Sequence, residues 1–298
     1  MQQLREPKVS IIIPIYQDWH RLAFCISALQ QQTYGKEHFE VIVVNNDRES
    51  SSPADLVLPF NFKLVHESKA GSYSARNKGL IYASGDIIGF TDSDCIPDKN
   101  WISNAVDLFI QNPNVGRIAG RIDLFYKGIS LTPAELYEKV YAFKQDHVVE
   151  KLASSVTGNM FTRREVIDTV GGFNENLFSG GDHEWSRRAE QAGFKIVFGS
   201  NVIIKHPARS DLSQLIRKSK RIEGGRTAVN KFGKFNSFIR LAKAVKPPFM
   251  DLFYYLGRYG KDLSLKEKVI VCLVKYYLVY IERLEEFKLS FGRIASRE

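Results

Sequence analysis

The stretch "IIGFTDSDCIPDKNW", Ile87 to Trp101, sets a four-residue apolar run, Ile87 to Phe90, directly against a polar segment with two acids, Asp92 and Asp94. Continued as an extended chain, the segment alternates its side chains, with Asp92 and Asp94 on one side and Ser93 on the other. Two carboxylates this close repel unless a cation lies near them. A hard divalent ion such as Mg2+ or Mn2+ fits, because it takes carboxylate oxygens together with water and phosphate. The same residues also read as a turn capping a helix that starts near Lys99, since Asp, Ser and Pro all favour turns.

The neighbouring sequence decides what kind of sheet this strand joins. "VSIIIPIY" (Val9–Tyr16), "EVIVV" (Glu40–Val44) and "DIIGF" (Asp86–Phe90) are near-continuous apolar runs, the pattern of strands covered on both faces. Between the first two, Leu22, Cys25, Ile26 and Leu29 recur at i, i+3, i+4 and i+7, one apolar helical face; a second helix is expected over Ser74 to Ala83. Strand and helix in alternation imply an α/β fold with parallel neighbours. Open sheets of this kind bind ligands beyond the carboxyl ends of their strands. The polar runs found there are "NND" (Asn45, Asn46, Asp47) and "TDSD".

With 298 residues, 44% hydrophobic and 25% charged, the chain can bury a large core, which excludes a disordered tail and suggests one large domain with an appendage. Cys25, Cys95 and Cys272 are odd in number and far apart, as expected in a reducing compartment. The opening "MQQLREPKVSIIIPIY" has neither an early apolar region nor a small-residue cleavage site, so the expected location is cytoplasmic. From Lys205 onward 21 Lys and Arg face 9 Asp and Glu, a net of +12, and the preceding part carries −3 of the total +9. Basic character therefore belongs to the C-terminal third, where nucleic acid, an anionic membrane or a solvated helical face would each account for it.

Four segments in order resemble the inverting nucleotide-sugar glycosyltransferases of family 2, with their GT-A fold, over roughly Val9 to Pro207. "VSIIIPIYQDWHRLAFCISALQQQT" is similar to the family's first strand and helix, and "EVIVVNNDRES" to its second strand and base-recognising turn. "AGSYSARNKGLIYASGDIIGFTDSDCIPDKNWI" resembles the segment leading to the metal-binding Asp-X-Asp motif. "TGNMFTRREVIDTVGGFNENLFSGGDHEWSRRAEQAGFKI" resembles the acceptor-side half.

The resemblance implies roles for particular residues. Pro14 and Tyr16 fall where the first strand approaches the nucleotide, and Asn46 where a side-chain oxygen receives the N3–H of uracil, which an amide oxygen can do. Asn45 departs from an acidic pair common at that place. Arg76, Asp92 and Ser93 fall beside the nucleotide, and Asp94 on the metal, Mn2+ or Mg2+, which neutralises charge on the departing diphosphate. Asp182, in "SGGDHEW", matches the catalytic base that deprotonates the acceptor hydroxyl; as a helix N-cap it would need no catalytic task. Gly181 stands where many members have Glu. His206 matches a region in which some relatives bring a histidine to the metal or diphosphate. Asn159, Glu184 and Trp185 are the expected sugar or acceptor contacts, Trp185 fitting equally in a core.

The implied organisation is a GT-A catalytic domain over residues 1–208 and a basic, aromatic, helical extension over 209–298. "VIVCLVKYYLVYI" (Val269–Ile281) is well short of the roughly 20 apolar residues a spanning helix needs. Lys266, Lys268, Lys275 and the group Arg217, Lys218, Lys220, Arg221 and Arg226 flank apolar residues, as in segments lying on anionic membranes. Peripheral contact with the inner face of a membrane would suit a lipid-linked acceptor; glycan and protein acceptors are the alternatives. Tyr276, Tyr277 and Tyr280 serve equally to pack a helix on the catalytic domain or on a second copy in a homo-oligomer. Two other classes compete. A nucleotidylyltransferase would show a Gly-rich phosphate loop after its first strand, where this chain has "IPIYQDWHRL". A nucleic-acid-binding protein would show a recognisable motif, and none is present.

Overall fold

A computed structural model describes residues 6–49, 52–53, 56–177, 179–229, 234–243, 246 and 248–293. The opening residues Met1 to Arg5, part of the stretch read above for a signal sequence, lie outside them. Among the described residues one mixed sheet has the order β3-β2-β1-β4-β7-β6-β8-β5. Its parallel half holds β1 (Val9–Ile15), β2 (Phe39–Asn45), β3 (Phe62–His66) and β4 (Ile87–Thr91). β5 (Ile96–Pro97), β6 (Val115–Phe125), β7 (Asn159–Arg163) and β8 (Lys195–Pro207) complete it. β7 runs antiparallel to both β4 and β6. Six of the seven β1 residues are buried, as strands covered on both faces must be.

Helices α1 (Trp19–Gln30), α2 (Ser72–Tyr82) and α3 (Trp101–Gln111) connect these strands. α1 buries Leu22, Cys25, Ile26 and Leu29, the face its periodicity predicts. α2 lies close on β1 because Gly79 has no Cβ; one added there would stand 2.5 Å from Ile12 Cγ2. Further along, α5 (Gln145–Leu152) follows α4 (Pro133–Tyr141), α6 (Arg164–Val170) follows β7, and α7 (Gly181–Gln191) precedes β8.

The chain divides into two compact units. The first comprises Met1–Asp123, Phe143–Asn176 and Gly181–His206; the second comprises Leu124–Ala142, Leu177–Gly180 and Pro207–Glu298. Helix α4 thus joins α8 (Leu212–Val229), α9 (Lys234–Lys243), α10 (Phe249–Tyr259) and α11 (Leu265–Ser290) rather than the sheet. The reason is where its apolar face finds partners: Ala134 clusters with Leu215, Val274 and Leu278, and Leu136 and Val140 with Leu263 and Val271. Capping boxes start two helices of this unit, Thr132 with Glu135 on α4 and Ser264 with Glu267 on α11.

Candidate active site

The two polar runs at the strand ends differ in how their side chains are used. At the end of β2, Asn46 accepts from the Gly71 N–H at 2.7 Å and donates to the Glu67 and Lys69 carbonyls, both at 2.8 Å. Its amide holds the turn between β3 and α2. Asn45 Oδ1 accepts from the Asp47 N–H at 3.0 Å, and Asp47 Oδ2 accepts from Gln17 Nε2 at 2.9 Å. Gln17 follows Tyr16 with φ 58, a conformation that non-glycine residues seldom adopt, so the β1 end is shaped to reach this turn. A cavity of about 420 Å³ opens here, lined by Asn45, Arg48, Glu49, Leu64 and His66. Pro14 is half-buried within β1, and Tyr16, just beyond it, is 63% exposed.

At the end of β4 the acids meet cations from other elements. Arg76, buried in α2, donates to Asp92 Oδ1 at 2.6 Å, while its Nε is buried without a partner among the described residues. Ser93 is half-buried between the acids. Asp94 receives Arg21 Nη1 on Oδ2 at 3.3 Å, and His206 Nε2 stands 3.6 Å from Oδ1. Arg21 also pairs with Asp18 at 2.7 Å. Burial pushes the Asp94 carboxyl above the ordinary carboxylate range; Asp92 adds to this, and the pull of His206 and Arg21 does not cancel it.

One ligand atom each from Asp94, Cys95 and His206 lies within 4.8 Å of the others. Burial, with Asp92 and Asp94, raises the Cys95 thiol well above its ordinary pKa, and its soft sulfur matches a hard divalent cation poorly. The remaining donors, a carboxylate short of positive charge and an imidazole buried against the Phe143 ring at 4.6 Å, fit a divalent cation of the Mn2+ or Mg2+ type.

The second cluster forms at the start of α7. Asp182 lies in the first turn rather than in front of it, which differs from the N-cap reading. Its Oδ1 accepts from Tyr73 Oη at 3.3 Å and from the His183 N–H at 3.0 Å. The fold takes up the side chains of two expected sugar or acceptor contacts, Asn159 and Trp185. Asn159 is fully buried, accepting from Trp101 Nε1 at 2.9 Å and donating to the Arg121 and Val202 carbonyls. Trp185 is fully buried against Phe173 and donates to the Gly171 carbonyl. Glu184 accepts twice from Arg188. Sequence reasoning overlooked Arg21, Cys95 and Tyr73; only Cys95, beside Asp94 in sequence, carried a local signal.

A family model described as Glycosyl transferase family 2 matches residues 10–171. The glycosyltransferase AglE of Haloferax volcanii is 33% identical over 229 residues, 75% of this chain and 74% of that protein. The glucosyl-dolichyl phosphate glucuronosyltransferase of the same organism is 24% identical over 289 residues, 90% of this chain and 85% of its own length. Among solved structures, a mannosyltransferase from Pyrobaculum calidifontis in complex with GDP-Man and Mn2+ has a TM-score of 0.62 at 18% identity, covering 97% of this chain and 88% of that one. S. aureus TarS 1-349 in complex with UDP has a TM-score of 0.53 at 16% identity, with coverage of 96% and 92%.

Proposed function

The chain belongs to glycosyl transferase family 2, a glycosyltransferase with the GT-A fold, and from that premise we propose that it transfers a sugar from a nucleotide-diphosphate donor to an acceptor hydroxyl with inversion. The observation that carries this reading is the pairing of two distinct carboxylate environments in one unit: Asp94 short of positive charge beside His206, and Asp182 with one oxygen anchored. Asp94 and His206 would hold the divalent cation, which when bound stabilises negative charge gathering on the diphosphate. Arg76 fixes Asp92, oriented for the ribose, and keeps Nε for a phosphate oxygen. The base is proposed to enter the cavity at the β2 end, with Tyr16 and Pro14 beside the nucleotide; UDP is the expected carrier.

The sugar–oxygen bond to the diphosphate breaks as the acceptor oxygen bonds the anomeric carbon from the opposite face. Asp182 takes the acceptor's proton, and the bonding pair leaves on the diphosphate. Asp182→Asn is expected to keep donor affinity within about threefold and to lower turnover at least about a hundredfold. Near-normal turnover would remove Asp182 as the base.

A lipid-linked acceptor at a membrane surface is proposed from the second unit. Phe249, Met250 and Phe253 of α10 and Leu273 of α11 are exposed around an apolar groove of about 730 Å³, within the basic third of the chain. No helix among the described residues is long and apolar enough to cross a membrane, so contact would be peripheral. Flotation with vesicles rich in phosphatidylglycerol at low salt is the expected result; absence from both anionic and neutral vesicles would discard it. A second copy covering the groove would instead appear as a dimer by sedimentation.

A further inference from the structure

Helix α7 starts at Gly181, and the residue in front of it, Gly180, has no side chain to cap it. The first N–H groups of a helix have no intrahelical acceptor, and Ser, Thr, Asp or Asn usually supplies one from the residue in front. Here Gly180 precedes the helix, and the acceptor comes from a residue about a hundred positions earlier. Tyr73 Oη, on the first turn of α2, receives the Gly181 N–H at 2.9 Å and the Asp182 N–H at 3.3 Å. A phenolic hydroxyl has two lone pairs and one proton. With both lone pairs engaged, only the proton remains, and Asp182 Oδ1 lies 3.3 Å away to take it.

The residues around Tyr73 fix that geometry. Its ring is buried and stacks on Phe173 at 5.7 Å, and Phe173 in turn packs on Trp185 of α7 at 5.6 Å. Arg76 lies over the same ring, 5.8 Å from its centroid, and ties α2 to Asp92. Burial and the charge of Asp182 keep the phenol protonated far beyond neutral pH. Gly181 completes the fit: a Cβ there would stand 2.7 Å from Tyr73 Cε2. The departure from Glu at this position is thus coupled to the tyrosine, since any larger residue would displace the ring.

We propose that Tyr73 is the positioning residue of the Asp182 base: by capping α7 and donating to Oδ1, it leaves Oδ2 as the oxygen that receives the acceptor's proton. Among the described residues Oδ2 has no hydrogen-bond donor, whereas Oδ1 has two. This rests on the reading of Asp182 as the base, and the test separates the two claims.

The test compares full-length wild type, Tyr73→Phe, Asp182→Asn and the double variant. Deuterium uptake at the segment holding Gly181 and Asp182 reads the cap directly. Tyr73→Phe should speed exchange there by about tenfold or more and leave β1 and β2 protection unchanged. Turnover is read as Mn2+-supported hydrolysis of UDP-glucose, UDP-N-acetylglucosamine and GDP-mannose, with water as acceptor. Tyr73→Phe should lower kcat by about ten- to a hundredfold with donor KM unchanged, and should cost less than about twofold on top of Asp182→Asn. Equal losses in both backgrounds, or unaltered exchange at Gly181 and Asp182, would overturn the proposal. Full turnover in Asp182→Asn would instead remove the base assignment, whereas loss in Asp182→Asn with none in Tyr73→Phe removes only the role of Tyr73.

Discussion

Asp94 in the first unit and Glu138 in the second are both carboxylates withdrawn from water, with opposite outcomes. Glu138 is fully buried and accepts from the Arg209 N–H at 2.7 Å, from Arg209 Nη1 at 2.9 Å and from Lys218 Nζ at 3.2 Å. Burial pushes its carboxyl up, but Lys218 and Arg209 outweigh that and hold it below the usual range. Burial and Arg209 also press the Lys218 ammonium down to about 8, against the pull of Glu138. Asp94 has instead a second acid beside it, an imidazole at 3.6 Å and a half-exposed arginine at 3.3 Å, and its carboxyl rises. An acid whose cations all come from the chain ties helices together. An acid left short of positive charge gains from a cation arriving with a ligand.

Three measurements bear on this contrast. The largest expected effect is on catalysis: Asp94→Asn should lower Mn2+-dependent turnover by about a thousandfold, while the melting temperature of the metal-free protein stays level or rises, because a repelled buried charge has been removed. A large loss of stability would make Asp94 a structural acid like Glu138. Next, Glu138→Gln leaves Arg209 and Lys218 without their shared anion, and urea unfolding should show about 3–5 kcal/mol less stability. The fraction still folded should turn over donor at the wild-type rate. The smallest effect concerns pH. Because the folded-state pKa of Glu138 is lowered, its contribution is present above the unfolded carboxylate pKa and disappears as pH falls through the depressed value. Wild type should therefore lose more stability than Glu138→Gln on acidification below about pH 4.5. Parallel acid melting curves would contradict the assignment.

Local signals in the sequence read well where one element answers to one pattern. The apolar face of α1 and strands β1, β2 and β4 lie within a residue or so of their expected bounds, β3 is not among the expected strands, and the Asp-Ser-Asp run does follow a buried strand. What was not legible depends on distant partners. "NND" and "TDSD" look alike as polar strand ends, yet Asn46 of the first bonds Glu67, Lys69 and Gly71, whereas Asp92 and Asp94 of the second meet Arg76, Arg21 and His206. Asn159 and Trp185 carry chemistry suited to sugar, and the sheet and α7 bury both. Tyr73 gave no sign of its role because its partners lie more than a hundred residues away. The Thr132–Glu135 box marks a helix start, but nothing near it says that α4 joins the C-terminal helices.

The central claim is that Asp94 and His206 are the protein's ligands for a donor-bound cation. Crystals grown with UDP and Mn2+, measured for anomalous scattering at the manganese edge, test it most directly. The expected map has its strongest peak between the Asp94 carboxylate and His206 Nε2, touching the diphosphate. Well-ordered UDP with manganese absent from that place, or bound elsewhere, would contradict it.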